Sequence, residues 1–211
     1  VGSYGCNLRC PFCQNCSISM ASEKQAETVF VSPEELVSKA LQLIPAGNIG
    51  IAYTYNEPLI SYEYVYGCAR MAHEKGLKNA VVTNGYICEE PLAGLLPFID
   101  AMNIDLKGFT ESFYKRLRGD LEPVKKTIML ASDRCHVEVT TLIIPDENDG
   151  AEEMKNLSAW LAEISPDIPL HISRFFPRYQ YSDRSPTPVR RVYDLAEIAS
   201  ENLRYVYPGN C

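Results

Sequence analysis

Short runs rich in β-branched and aromatic residues alternate along the chain with longer stretches in which apolar residues recur every three or four positions. Apolar or alternating runs of this length predict strands. They are Asn48–Tyr55 (NIGIAYTY), Asn79–Thr83, Ala101–Leu106, Val137–Ile144 and Leu170–Phe175, and the opening Val1–Gly5 reads as the end of another. Helical patterns fill the intervals. One starts at Ser32-Pro33-Glu34-Glu35, where a serine N-cap, a proline at the first helical position and acids near the positive end of the dipole coincide. Glu57–Lys75 runs to Gly76, a residue suited to the left-handed turn that ends many helices. Glu111–Leu117, Pro123–Ser132, Ala151–Ile164 and Pro188–Asn202 complete the set. Strand and helix alternating at this rate predict repeated βα units on a parallel sheet.

Length then selects among parallel architectures. Six strands in 211 residues allow about 35 residues per unit, whereas a closed eight-stranded barrel usually takes about 250 residues. The expected fold class is therefore α/β, a partial (β/α)6 TIM-like barrel, with a doubly wound open sheet as the alternative. No repeat, low-complexity segment or linker interrupts the pattern, so residues 1–211 are expected to form a single domain. The polar, proline-bearing stretch Arg178–Pro188 is long enough for a lid or binding loop. Arg174 and Arg178 beside it are candidates for a substrate anion.

Composition narrows the function. Hydrophobic residues make up 46% and charged residues 22%, ordinary for a globular domain. Such a chain needs no disulfide or metal merely to fold. Twenty basic residues face 27 acidic ones, a net charge of -7, which argues against a nucleic-acid partner. No apolar run is long enough to span a membrane. The chain opens on Val1 rather than Met, so a leader cannot be judged.

The eight cysteines, at positions 6, 10, 13, 16, 68, 88, 135 and 211, are unevenly spread, with four inside eleven residues. That crowding favours metal or cluster binding in a reducing cytoplasm over a disulfide framework. Cys68 and Cys135 read as small buried hydrophobes. Cys6-Asn7-Leu8-Arg9-Cys10-Pro11-Phe12-Cys13 spells C-x3-C-x2-C. Three thiolates can hold three irons of a cubane cluster and leave the fourth open for chemistry. Cys16 extends the run to C-x2-C-x2-C. A closed electron-transfer cluster and a four-cysteine zinc site therefore stand beside the open cluster as readings.

CNLRCPFCQN, AYTYNEP, HEKGLKNAVVTNGY, NIDLKGF, EVTTLIIPDEND, HISRFFPRYQ and RYVYPGN follow one another over nearly the whole chain. With them the sequence resembles the radical S-adenosylmethionine enzymes, in particular the AmmeMemoRadiSam branch, relatives of the pyruvate formate-lyase activating enzymes. The resemblance implies that Cys6, Cys10 and Cys13 ligate a [4Fe-4S] cluster whose fourth iron is chelated by the amino and carboxylate groups of S-adenosylmethionine. It implies one-electron cleavage of the sulfonium and hydrogen abstraction by a 5′-deoxyadenosyl radical, with the protein orienting groups and excluding water.

The resemblance also assigns residues. Phe12 is expected near the adenine, or as a core aromatic anchoring the loop. Thr54-Tyr55-Asn56-Glu57-Pro58 stands where the wider superfamily carries a Gly-Gly-Glu segment that holds the methionine ammonium. Glu57 would replace that acid, with Asn56 or Thr54 as a further acceptor; alternatively, Asn56 and Glu57 are a helix cap and first-turn acid. Thr83, Asn84 and Gly85 form a turn whose amides and side chains can approach a ligand. Val82 occupies the place of an acid in the activating enzymes. Asp105 and Lys107 are expected near the ribose and carboxylate, or as an intrastrand ion pair. Glu138 and Thr140 share a strand face toward the barrel interior, where an acid needs a cation or a role. His171, on one face with Ser173 and Phe175, would approach the adenosyl group or be a satisfied core histidine.

The implied partners are an electron donor of flavodoxin or ferredoxin type and a substrate that is a small molecule or a protein, with no nucleic acid and no membrane. Two other functions compete: a glycyl-radical activase within the class, and an iron–sulfur or zinc module without radical chemistry outside it. One observation stands apart from resemblance. Polar groups at 6–13, 54–57, 83–85, 105–107 and 171–174 fall at or near the C-terminal ends of expected strands, the face where βα folds build sites.

Overall fold

Six parallel strands stand side by side in chain order. They are β1 (Gly50–Tyr53), β2 (Lys78–Thr83), β3 (Ala101–Asp105), β4 (His136–Ile143), β5 (Leu170–Arg174) and β6 (Val206–Gly209). β1 and β6 are the two edges, so the sheet is an unclosed partial barrel. The structure, a computed structural model, describes residues 1–22 and 24–211. Its helices are α1 (Cys16–Ser19), α2 (Pro33–Gln42), α3 (Tyr62–Glu74), α4 (Glu89–Leu95), α5 (Glu111–Arg116), α6 (Leu121–Ser132), α7 (Ala151–Ile164) and α8 (Val189–Ser200).

Side-chain alternation divides each strand between two environments. Ile51, Val81, Met102, Ile104, Val139, Ile143 and Ile172 are buried in the main core together with helix residues such as Val65, Leu92, Ile128, Leu157 and Leu195. Burial of each aliphatic side chain contributes roughly 1.5–3 kcal/mol. Between them Ala80, Asn103, Asp105, Glu138, Thr140, His171 and Ser173 are only partly covered, and Ala52 is exposed, on the concave face. A smaller apolar cluster of Phe12, Phe113, Leu117, Ile144 and Phe175 sits under the cysteine loop.

Local signals set the boundaries. The Ser32 hydroxyl accepts from the Glu35 amide at 3.2 Å, and the Glu35 carboxylate accepts from the Ser32 amide at 2.9 Å, a reciprocal cap with Pro33 at the first helical position. Gly76 ends the α3 segment at φ +75°. The expected helix over 57–75 starts later, because the Glu57 carboxylate caps the Leu59 amide and imposes a 3₁₀ turn over Pro58–Ser61.

Three expectations need correcting. Val1–Gly5 forms no strand: only Val1 pairs with the outer edge of β1, its ammonium donating to Ala52 O at 2.7 Å and its carbonyl accepting from Thr54 N at 2.9 Å. The sixth strand is instead β6, hidden in the sequence by Pro208, which an edge strand tolerates. The expected lid is pinned: Gln180 N donates to Pro11 O at 3.0 Å, and the Thr187 hydroxyl donates to Ile143 O at 2.5 Å. Among the described residues no helix is long and apolar enough to cross a membrane.

Candidate active site

The cysteine loop lies over the C-terminal ends of β1–β3, held by its backbone. Gly5 N donates to Ile18 O at 2.9 Å, Arg9 N to Leu117 O at 2.8 Å, and Cys13 N to Cys10 O at 3.2 Å. Leu8 anchors it from below, 1% exposed, against Gly119, where an added Cβ would lie 2.5 Å from Leu8 Cδ2. Phe12, 3% exposed, stacks on Phe113 with ring centroids 6.1 Å apart and also faces the cavity. Both expected roles of Phe12 are therefore open to it.

Cys6, Cys10 and Cys13 wall one cavity of about 220 Å³ together with Asn56, Asn84, Asp105 and Lys107. Cys16, the first residue of α1, does not line it. Among the described residues no three Cys, His, Asp or Glu side chains converge tightly enough to share one ion. A cubane gives each thiolate its own iron, so its ligands surround a space rather than a point. The arrangement matches that need better than a tetrahedral zinc site.

At the sulfurs, burial works against thiolate and a nearby cation and amide work for it. Burial pushes the Cys10 thiol up to about 12, opposed by the Lys107 ammonium. Burial also raises Cys6, opposed by the Leu8 amide, which donates to its sulfur at 3.4 Å. Lys107 is therefore the cation that favours thiolate here. Burial alone would lower its pKa, but Asp105, 2.7 Å away, and the Cys10 sulfur together outweigh burial and raise it. The Tyr114 hydroxyl accepts from Lys107 N at 3.1 Å and fixes the backbone behind the pair.

Across the cavity, Tyr55 and Asn56 both adopt left-handed backbone, φ +59° and +64°, costing on the order of 1 kcal/mol apiece. Asn56 Nδ2 donates to Ser3 O, and its buried Oδ1 has no partner. An unpartnered acceptor beside three thiols fits the ammonium of an amino acid. By this test the residues suit S-adenosylmethionine as well as the cluster.

Glu57 is 1% exposed and lies beneath the cavity wall. Its carboxylate accepts from the Thr83 hydroxyl at 2.7 Å, the Asn84 amide at 2.7 Å and the Leu59 amide at 3.0 Å. Burial raises its pKa, against the pull of these donors. Asn84 Nδ2 in turn donates to Asn7 Oδ1 at 2.8 Å and contacts Cys6 Sγ at 3.6 Å. Gly85, at φ +70°, lets the turn pass Ile104, whose Cγ2 would lie 2.8 Å from any added Cβ. Glu57, Thr83 and Gly85 thus build the wall without lining it.

The other expected residues lie elsewhere. Thr54 lines a separate groove with Val1, Gly2 and Ser3. On the concave face Thr140 donates to Asn103 Oδ1 at 3.0 Å, and Thr140 pairs in register with Asp105. One layer further down, the Glu138 carboxylate bonds His171 Nε2 at 2.7 Å and His136 Nε2 at 3.1 Å. Burial works against its charge, but the two histidines outweigh it and hold the pKa low. His171 also stacks on Tyr207, centroids 5.4 Å apart. Arg174 is turned aside, Nε donating to Thr187 O at 2.7 Å. Sequence reading missed Leu8, Gln14, Asn15, Ser19 and Leu142 in the cavity wall. Only Leu142 had a signal, since it shares the face of Glu138 and Thr140 at period two.

Comparison with known proteins settles the family. The profile of the Radical SAM superfamily matches residues 1–158. The chain belongs to that superfamily. Enzymes of the Radical SAM superfamily use a [4Fe-4S] cluster and S-adenosylmethionine. An uncharacterized protein, MJ0808 of Methanocaldococcus jannaschii, is 40% identical over 209 residues, which is 98% of this chain and 61% of that protein. The chain thus spans about three-fifths of that relative's length. The pyruvate formate-lyase-activating enzyme of Clostridium pasteurianum is 26% identical over 169 residues, 76% of this chain and 67% of the enzyme. The fold matches Streptococcus suis SuiB bound to S-adenosylmethionine, with TM-score 0.76 and 13% identity, over 100% of this chain and 50% of that one.

Proposed function

We propose that this chain is the catalytic core of an enzyme that cleaves S-adenosylmethionine reductively and uses the 5′-deoxyadenosyl radical to take hydrogen from a substrate. One observation carries the proposal: three cysteines wall a cavity in which the orphaned Asn56 Oδ1 is an acceptor ready for an ammonium. When bound, the cluster supplies a single electron to the sulfonium. Cys6, Cys10 and Cys13 hold it, and Lys107 keeps charge balanced beside them. Asn56 accepts from the methionine ammonium, and the Lys107 ammonium, steadied by Asp105, meets its carboxylate. Phe12 closes one side against water.

Glu57, through Thr83, Asn84 and Gly85, fixes the wall from behind. We read Glu138, Thr140 and His171 as the floor on which the nucleoside or the substrate rests, and Thr54 as a backbone support. The reading takes residues 1–211 as one unit, because one sheet and one main core run through it. It takes the compartment to be the reducing cytoplasm, in keeping with eight free thiols.

The substrate is a small molecule or a protein segment. Relatives named as activating enzymes for pyruvate formate-lyase and 4-hydroxyphenylacetate decarboxylase favour the second as a subsidiary reading. The test is anaerobic reconstitution with iron and sulfide, then dithionite and S-adenosylmethionine. We expect 5′-deoxyadenosine and methionine in equal amounts. A protein that takes up zinc alone, or a cluster whose spectrum ignores the nucleotide, would overturn the proposal.

A further inference from the structure

The three cavity cysteines meet three different surroundings. Cys6 Sγ accepts from the Leu8 amide at 3.4 Å and lies 3.6 Å from Asn84 Nδ2. Cys10 has the Lys107 ammonium near it. Cys13 faces a hydroxyl: Ser19 Oγ stands 3.2 Å from its sulfur. Ser19 is 3% exposed and lines the cavity.

That hydroxyl goes against the habit of serine in helices. A helical serine commonly turns back and bonds the carbonyl three or four residues earlier. Ser132 does so with Met129 O at 2.9 Å, Ser158 with Lys155 O at 3.2 Å and Ser200 with Ala196 O at 2.7 Å. Ser19 closes α1 with its amide on Asn15 O at 2.8 Å, yet its hydroxyl leaves that carbonyl for the sulfur. The neighbouring Ile18 O accepts from Gly5 N at 2.9 Å, which ties the backbone at Ser19 to the start of the cysteine loop. The serine is therefore held where it is by the loop it serves.

A sulfur bound to iron is a thiolate and has no proton to give, so in the loaded protein the hydroxyl is the donor. We propose that Ser19 is a positioning residue for electron entry: its hydroxyl donates to the Cys13 thiolate and raises the potential at which a cluster on Cys6, Cys10 and Cys13 is reduced. The proposal rests on the reading of the cavity as a cluster site. A donor draws charge off the sulfur, and the reduced state, one negative charge richer, gains more from it than the oxidised state. One electron enters, and no bond forms or breaks. The Leu8 amide cannot be deleted and Lys107 also pairs with Asp105, whereas the Ser19 hydroxyl is a single removable atom.

The test is an anaerobic redox titration of the protein reconstituted with iron and sulfide, without S-adenosylmethionine, read by the paramagnetic resonance of the reduced cluster. Ser19→Ala should lower the midpoint potential. At a fixed potential the ratio of reduced to oxidised cluster should fall about threefold, or about 30 mV at roughly 59 mV per tenfold for one electron. Ser19→Thr keeps the hydroxyl and should stay near wild type, while Ser19→Val has the same branched shape without it and should fall with alanine. Ser200→Ala removes a back-bonded hydroxyl from α8 and should leave the potential where it is.

A potential that is unchanged or raised in the alanine and valine variants overturns the proposal and assigns Ser19 to packing. A threonine variant that falls as far as valine does the same, because shape and not the hydroxyl would then set the value. Should the alanine variant lose its cluster, the threonine and valine pair decides. A wild-type chain that loads no redox-active cluster ends the cavity reading and this proposal together. A cluster that loads but ignores the nucleotide ends the cavity reading only, and the titration still decides Ser19.

Discussion

The two faces of the sheet are made from the same strands and answer to different requirements. Ile104 and Asp105 are neighbours in β3, yet one is sealed in the core while the other is ion-paired at the cavity mouth. On the helix side most positions are aliphatic, with Tyr53, Asn79, Thr83 and Thr141 buried among them, and packing sets the worth of the aliphatic ones. On the concave side the residues are small or polar, partly exposed, and bonded to one another across strands. The contrast separates what holds the fold from what performs chemistry, and substitutions should divide accordingly.

The largest effect is expected on the concave side. Serine at Cys6, Cys10 or Cys13 should abolish cluster loading and reduce 5′-deoxyadenosine to background, with the melting temperature of the metal-free protein little changed. Cys16→Ser should keep both iron and activity; loss of either would return Cys16 to the ligand set. On the helix side, Ile172→Ala should cost about 2–5 kcal/mol in urea unfolding and leave the activity of the folded fraction intact. Asn56→Gly relieves the left-handed strain while deleting the orphaned acceptor. KM for S-adenosylmethionine should rise about tenfold, near 1.4 kcal/mol, with no loss of stability.

The smallest effect tests a region belonging to neither face. Asp100, just before β3, accepts from Lys78 Nζ at 2.6 Å and from the Asn79 amide at 2.8 Å. Burial raises its pKa, but these two donors outweigh it and leave it below the ordinary carboxylate value. Its contribution is present above that ordinary value and is lost as pH falls through the lowered one. Wild type and Asp100→Asn should therefore differ by about 1 kcal/mol near neutrality and converge in acid. A gap that persists in acid strong enough to protonate the folded-state carboxyl would assign the effect to packing instead.

Most of the scaffold was legible because its signals are local. The Ser32-Pro33-Glu35 cap, Gly76 and the β-branched runs each declare themselves within a few residues, and α7 spans the same Ala151–Ile164 that its periodicity predicts. β6 and α4 were not legible, since Pro208, Pro91 and Gly94 read as breakers until the sheet edge and the neighbouring helices supply context. In the site, cysteine spacing gave the thiols and period two gave the Asp105–Lys107 pair. The open acceptor of Asn56 depends on a left-handed turn and on Ser3, 53 residues away. No reading of neighbours could reach it. The partner of Arg174 Nε was hidden for a similar reason: Thr187 lies 13 residues on, across the stretch read as a lid or binding loop.

Glu57 carries a consequence for anyone who ranks residues by loss of function. A screen of single substitutions would place it beside the cysteines, although its side chain lies behind the cavity wall rather than in it. Its two oxygens tie the ends of two strands and, through Asn84, the sulfur of Cys6. Damage there would be read as a missing chemical group when the true defect is a misplaced one.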